Sequence, residues 1–77
     1  MKNYIVAEMQ FGVDTAAVVP FAFDDKGAAE DKYLYLRQVA RQSAVLVHTV
    51  VWMDKVGNVI EKKSYTHPAP EPEPAEE

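Results

Sequence analysis

Ala44-Val-Leu-Val-His-Thr-Val-Val-Trp-Met53 is the stretch that decides how this chain folds. Its composition is that of a strand, apolar and rich in β-branched residues, and only His48 and Thr49 interrupt it. At ten residues it is half the length of a membrane-spanning helix, which needs roughly twenty. Read at period two, Leu46, His48, Val50 and Trp52 share one side and Val45, Val47, Val51 and Met53 the other. A strand apolar on both sides belongs in the middle of a sheet and needs cover on both faces.

The neighbouring segments supply the rest of that sheet. After the run, Asp54-Lys-Val-Gly-Asn58 reads as a short hairpin loop in which Gly57 takes the left-handed position of a type I turn with a G1 bulge. The strand that follows, Asn58 to Thr66, carries Glu61, Lys62 and Lys63, charges suited to a solvent-facing edge. Before the run, Ala29, Tyr33, Leu36 and Ala40 recur at helical spacing, with Val39 and Ser43 on the flanks. Asp24 and Asp25 are placed to cap this helix, Glu30 and Asp31 to sit in its first turn, and Arg37 and Arg41 in its last turns near Ser43. Further upstream, residues 3 to 11 alternate Ile5, Ala7, Met9 and Phe11 against Tyr4, Val6, Glu8 and Gln10, and the turn residues Gly12 to Thr15 lead into a second strand from Ala16 to Phe23. Pro20 has no N–H to give a ladder, which puts that strand at an edge. The fold class is therefore α+β, in the order β-β-α-β-β. A four-stranded antiparallel sheet of order 2-1-3-4 with one helix on one face places the Pro20 strand and the Lys62-Lys63 strand on the two edges.

Charge divides the chain into a domain, 1–67, and a Pro/Glu-rich tail, 68–77. The domain holds eight acids and eight bases, whereas the tail holds four acids, no base and four of the five prolines. Such a tail reads as extended and disordered, as a solubilising bristle or as a ligand for a basic or aromatic groove. A neutral body lacks the clustered Lys and Arg that nucleic acid requires, and its aromatics then read as core and interface residues. The absence of cysteine removes disulfides, thiolate metal sites and cysteine nucleophiles. No metal-ligand spacing, glycine-rich phosphate loop or nucleophile elbow is present, so the sequence predicts neither a metal nor a cofactor nor an enzyme. His48 and His67 are the only imidazoles, and His48 reads as a hydrogen-bonded or interface residue. With no signal-peptide core and no spanning segment, the expected location is the cytoplasm.

Several short stretches carry a resemblance. Phe21-Ala-Phe-Asp24, Ala29-Glu-Asp-Lys-Tyr33, Val47-His48, Gly57-Asn-Val-Ile60 and Tyr65-Thr-His67 resemble a family of small uncharacterised prophage-associated proteins of Gram-positive gut bacteria. The resemblance covers residues 3 to 67 and implies a phage accessory or structural role, with no catalytic residue attached.

One helix covers one face of a four-stranded sheet, so the other needs a partner. Either Leu46, Val50, Trp52 and Ile60 or Val45, Val47, Val51, Met53 and Val59 are left bare. The sequence reading adopts the first set, with His48 between them and Leu34 and Tyr35 off the helix's apolar stripe, as an association surface. A domain this small buries only about 60% of its unfolded surface and gains from self-association, so a homodimer is expected. The alternative is an adaptor or inhibitor that captures a host or phage protein by a sheet edge or by the tail.

Overall fold

The computed structural model describes residues 2–68, which form β1 (Tyr4–Phe11), β2 (Ala16–Phe23), α1 (Lys26–Gln42), β3 (Val47–Asp54) and β4 (Val59–Thr66). The strands make one antiparallel sheet in the order β2-β1-β3-β4, the α+β arrangement predicted from the sequence. The tail expected from residue 68 onward lies, apart from Pro68, outside the described residues. β2 and β3 both run antiparallel to β1, so they are parallel to each other and α1 is the crossover between them. No helix among the described residues is long and apolar enough to cross a membrane.

β1 pairs without a break on both sides, from Tyr4 opposite Phe23 to Phe11 opposite Ala16, and from Tyr4 opposite Asp54 to Phe11 opposite Val47. Pro20 sits opposite Ala7 on the edge strand, where a missing N–H is tolerated. β3 begins at Val47, three residues later than the apolar run does, because the preceding turn is held elsewhere: Val45 N–H donates to Ser43 Oγ. The Gly12–Thr15 turn closes through a Gly12 N–H to Thr15 carbonyl bond, and Gly12 takes no positive φ. Its requirement is space, since a Cβ there would stand 2.7 Å from Thr15 Oγ1.

α1 starts where the sequence predicts, with Asp25 as its cap: the Asp25 carboxylate accepts from Ala28 N–H at 2.9 Å. Glu30 and Asp31 fall one turn later than expected, since a helix starting at Lys26 has no acid in its first turn. The buried stripe is Ala29, Tyr33, Leu36 and Ala40, as the spacing indicates. It packs on Val6, Val50 and Trp52, with Tyr4, Phe21, Phe23 and Tyr65 closing the sides. Tyr33 and Trp52 set their rings 5.8 Å apart at a 36° tilt, within the range in which aromatic pairs attract. Burial is the main cause that raises the Tyr33 hydroxyl above its ordinary 10.0, with the Glu61 charge second, so Tyr33 serves the core as a neutral residue. Trp52 Nε1 has no hydrogen-bond partner among the described residues.

This packing corrects one sequence expectation. α1 takes the His48, Val50 and Trp52 side of β3, so these three are 1%, 0% and 3% exposed and belong to the chain's own core. The alternative set, around Val47, Val51 and Met53, faces away from the helix.

The β3–β4 hairpin has the predicted turn. Gly57 N–H donates to the Asp54 carbonyl, Asp54 N–H donates to the Asn58 carbonyl, and Gly57 takes φ 93°. The Asp54 carboxylate accepts from Asn58 N–H at 2.9 Å, Val56 N–H at 3.0 Å and Asn58 Nδ2 at 3.1 Å. The Asn58 backbone N–H is the largest cause that holds Asp54 below its ordinary 3.8.

Trp52→Ala should cost about 3–5 kcal/mol by leaving a cavity, whereas Trp52→Phe keeps the ring contact with Tyr33 and removes the unpartnered N–H. Urea unfolding should therefore rank Trp52→Phe well above Trp52→Ala. A folded-state pKa below 3.8 means that the Asp54 contribution is complete above that value and is lost as pH falls through the lower one. Between about pH 5 and pH 2, the urea midpoint of the natural chain should fall more steeply than that of Asp54→Asn, which has no carboxylate to titrate.

Candidate functional site

The side of the sheet away from α1 is defined by register. β1 contributes Ile5, Ala7, Met9 and Phe11, and β3 contributes Val47, Thr49, Val51 and Met53 beside them. β2 adds Ala16, Val18, Pro20 and Ala22, and β4 adds Lys62, Ser64, Thr66 and the partly offset Val59. Lys62 is the one charged side chain among these positions, and it lies on the β4 edge. Thr49 Oγ1 and Ser64 Oγ lie 3.0 Å apart, so the polar corner of the face satisfies itself. Among the described residues no second helix lies over this side.

Exposure across the face runs from the middle outward. Ala7 and Val51 are 7% and 8% exposed, dried by their strand neighbours alone. Ile5, Met9, Val47 and Met53 are half-buried, while Val18 and Val59 reach 61% and 51%. Four strands of eight residues each present a face of about 500 Å², taking strand spacing as about 4.8 Å and rise as about 3.3 Å. That is the size of the largest apolar patch on a typical monomer, which is often functional.

The residues predicted as an association surface are not brought together. His48, Val50 and Trp52 lie beneath α1. Leu46 is half-buried just ahead of β3, where its carbonyl accepts from His67 N–H at 2.8 Å. Ile60 is the extra residue where the β3–β4 register slips between Trp52 and Met53, and it is 38% exposed. Leu34 and Tyr35 stand on the outer side of the helix, 47% and 59% exposed. Period-two alternation identified two apolar sides of β3 but carried no signal for which one the helix would take.

His48 organises a polar cluster that the sequence reading did not assemble. It sits opposite Gln10, with Glu8 as its diagonal neighbour on the same face of β1. His48 Nε2 lies 2.9 Å from Glu8 Oε1, and Nδ1 lies 2.9 Å from Ser43 Oγ. A carboxylate only accepts, so Nε2–H donates to Glu8, while Nδ1 shares a hydrogen bond with the Ser43 hydroxyl, which also donates to the Ala40 carbonyl at 3.2 Å. Glu8 Oε1 also accepts from Gln10 Nε2 at 3.2 Å. Ser43 is the residue that ends α1, and the Ala40 carbonyl accepts from Ser43 N–H and from His67 Nε2–H. Both histidines thus tie the C-terminal turn of the helix to the sheet, satisfying groups that a helix end leaves open.

Serine, histidine and glutamate in a chain are the residue types of nucleophilic catalysis, so their surroundings decide what they do. His48 is 1% exposed. The shallow depression at this end of the sheet is lined by Gln10, Gly12, Val13, Thr15, Ala16, Ala17 and Ala44 to Leu46, and neither Ser43 nor His48 reaches it. The three side chains instead join helix end, β1 and β3. Among the described residues, no three His, Asp or Glu side chains are grouped so as to hold a metal ion.

Ser43→Ala should leave His48 Nδ1 buried without a partner and cost about 1–3 kcal/mol. Urea unfolding should show that loss, while the far-UV spectrum remains that of the folded chain. No protein-family model matches this chain, and neither a curated protein nor a solved structure is significantly similar to it.

Proposed function

We propose that this chain is a non-catalytic interaction protein that pairs with a second copy of itself through the open sheet face, as a cytoplasmic accessory or structural protein of a phage. The observation that carries the reading is the bare apolar face: Ile5, Ala7, Met9, Val47, Val51 and Met53, opposite the helix, with a single charge at its edge.

Size supports a second copy as the occupant. Two such faces in contact bury about 1,000 Å² in total, the lower bound for a specific protein interface. The fold has one helical layer and one sheet layer, so a face-to-face pair gives a helix-sheet-sheet-helix stack with the sheets about 10 Å apart. A two-fold pair needs a surface that tolerates its own image, and a nearly uncharged patch does so without like-charge repulsion. The phage association rests on the resemblance of the Phe21 to Asp24, Ala29 to Tyr33 and Tyr65 to His67 stretches.

Sedimentation at micromolar concentration should give about twice the chain mass of 8.6 kDa. Val18→Glu puts a charge on a side chain that is 61% exposed in the single chain, so the fold tolerates it. Against a partner that charge is desolvated, and self-association should weaken about tenfold or more. A folded monomer at millimolar concentration overturns the reading, as does a dimer that Val18→Glu and Met9→Glu both leave intact.

A further inference from the structure

The open face differs from one edge to the other. Strand register lays Pro20, Ala7, Val51 and Lys62 in one row across it, and Val18, Met9, Thr49 and Ser64 in the next. The β2 edge is low, since Ala16, Pro20 and Ala22 are short side chains. The β4 edge is tall at Lys62, the longest side chain that the two outer strands turn to this side and the one charged group on it.

Two copies that meet through this face are related by a two-fold axis lying between the sheets, and packed sheets keep their strands within about 30° of alignment. Two arrangements satisfy both conditions. An axis across the strands lays β4 over β4 and β2 over β2, whereas an axis along the strands lays β2 of each copy over β4 of the other.

Charge and shape separate the two. With the axis across the strands and centred on the face, the two Lys62 residues stand one row apart, about 7 Å along the strands. That is inside a Debye length of about 8 Å, and burial between the sheets weakens screening further. With the axis along the strands, the same charges lie on opposite edges of the stack, three strand spacings or about 14 Å apart. Shape favours the same choice. Low β2 edges laid on each other leave a gap while the β4 edges are propped open by their lysines. Laid over β4 instead, Pro20 and Ala7 receive Lys62 and Val51 of the partner subunit, each long side chain against a short one, which approaches the density of a protein interior. The Lys62 stem then covers apolar surface while its ammonium reaches water past the β2 edge.

We propose that the pair is built on a two-fold axis running along the strands between β1 and β3, so that Val51 of each copy packs on Ala7 of the partner subunit and Lys62 on Pro20 of the partner subunit. This arrangement rests on the sheet-face pairing and adds to it the orientation of the two copies.

The chain has no cysteine, so thiols can be introduced one at a time into the full chain. Val18→Cys on β2 and Ser64→Cys on β4 lie in one row, both exposed in the single chain, and both variants keep Lys62. Sheets about 10 Å apart are too distant for a disulfide, which needs Cα atoms within about 7 Å. A short bismaleimide is therefore the probe, with sedimentation of each variant as the check that it still pairs. A covalent dimer should form when the two variants are mixed and be lost when either is treated alone. Linking of Ser64→Cys to itself, or of Val18→Cys to itself, as efficiently as in the mixture overturns the proposed axis and leaves the pairing standing. Variants that sediment as dimers but give no linked product in the mixture overturn it as well. A natural chain that sediments as a monomer removes the sheet-face pairing itself, and the axis with it.

Discussion

The packing of Tyr33 and Leu36 against Val6, Val50 and Trp52 is the contact on which the rest of this structure depends. A single amphipathic helix has one apolar stripe, and a two-layer fold has one place to put it. Once Tyr33 lies against Trp52, the two sides of β3 acquire different fates. One side becomes core, with Val50 and Trp52 fully enclosed, and the other becomes surface despite an equally apolar composition.

The helix is then fixed at its C-terminal end by polar contacts. Ser43 ends α1, His48 links Ser43 to Glu8, and His67 joins the end of β4 to the Ala40 carbonyl. Satisfied in this way, the buried imidazole of His48 costs little and specifies one placement of helix on sheet; unsatisfied, it would be among the most expensive groups in the core. The contact of His67 with the Ala40 carbonyl comes from the fold and not from distance along the chain, since 27 positions separate the two.

The open face follows from the size of the chain. With only four strands and one helix, no described element remains to cover the Val51 side. Ala7 and Val51 are kept dry by their immediate neighbours, but the outer positions at Val18 and Val59 are not. A sheet whose unhelical side carries one charge in four strands is suited to meeting another flat apolar surface, and a second copy is the surface such a protein always has at hand.

The sequence by itself determined the element order, the edge strands and the caps. Proline at position 20 cannot serve a central ladder, Gly57 accepts a positive φ, Asp25 caps the helix, and the spacing of Ala29, Tyr33, Leu36 and Ala40 names the buried stripe. These are local properties of backbone and side chain, readable over a few residues. Only the tertiary structure decided which face of β3 the helix covers, because alternation is blind to the direction in which a strand is turned. It alone brought Glu8 to His48 across 40 positions and set Arg37 and Arg41 of the helix beside Tyr65 of β4. Those juxtapositions arise from strand register and from the crossover of α1, which bring distant positions together in ways that short-range pattern does not encode.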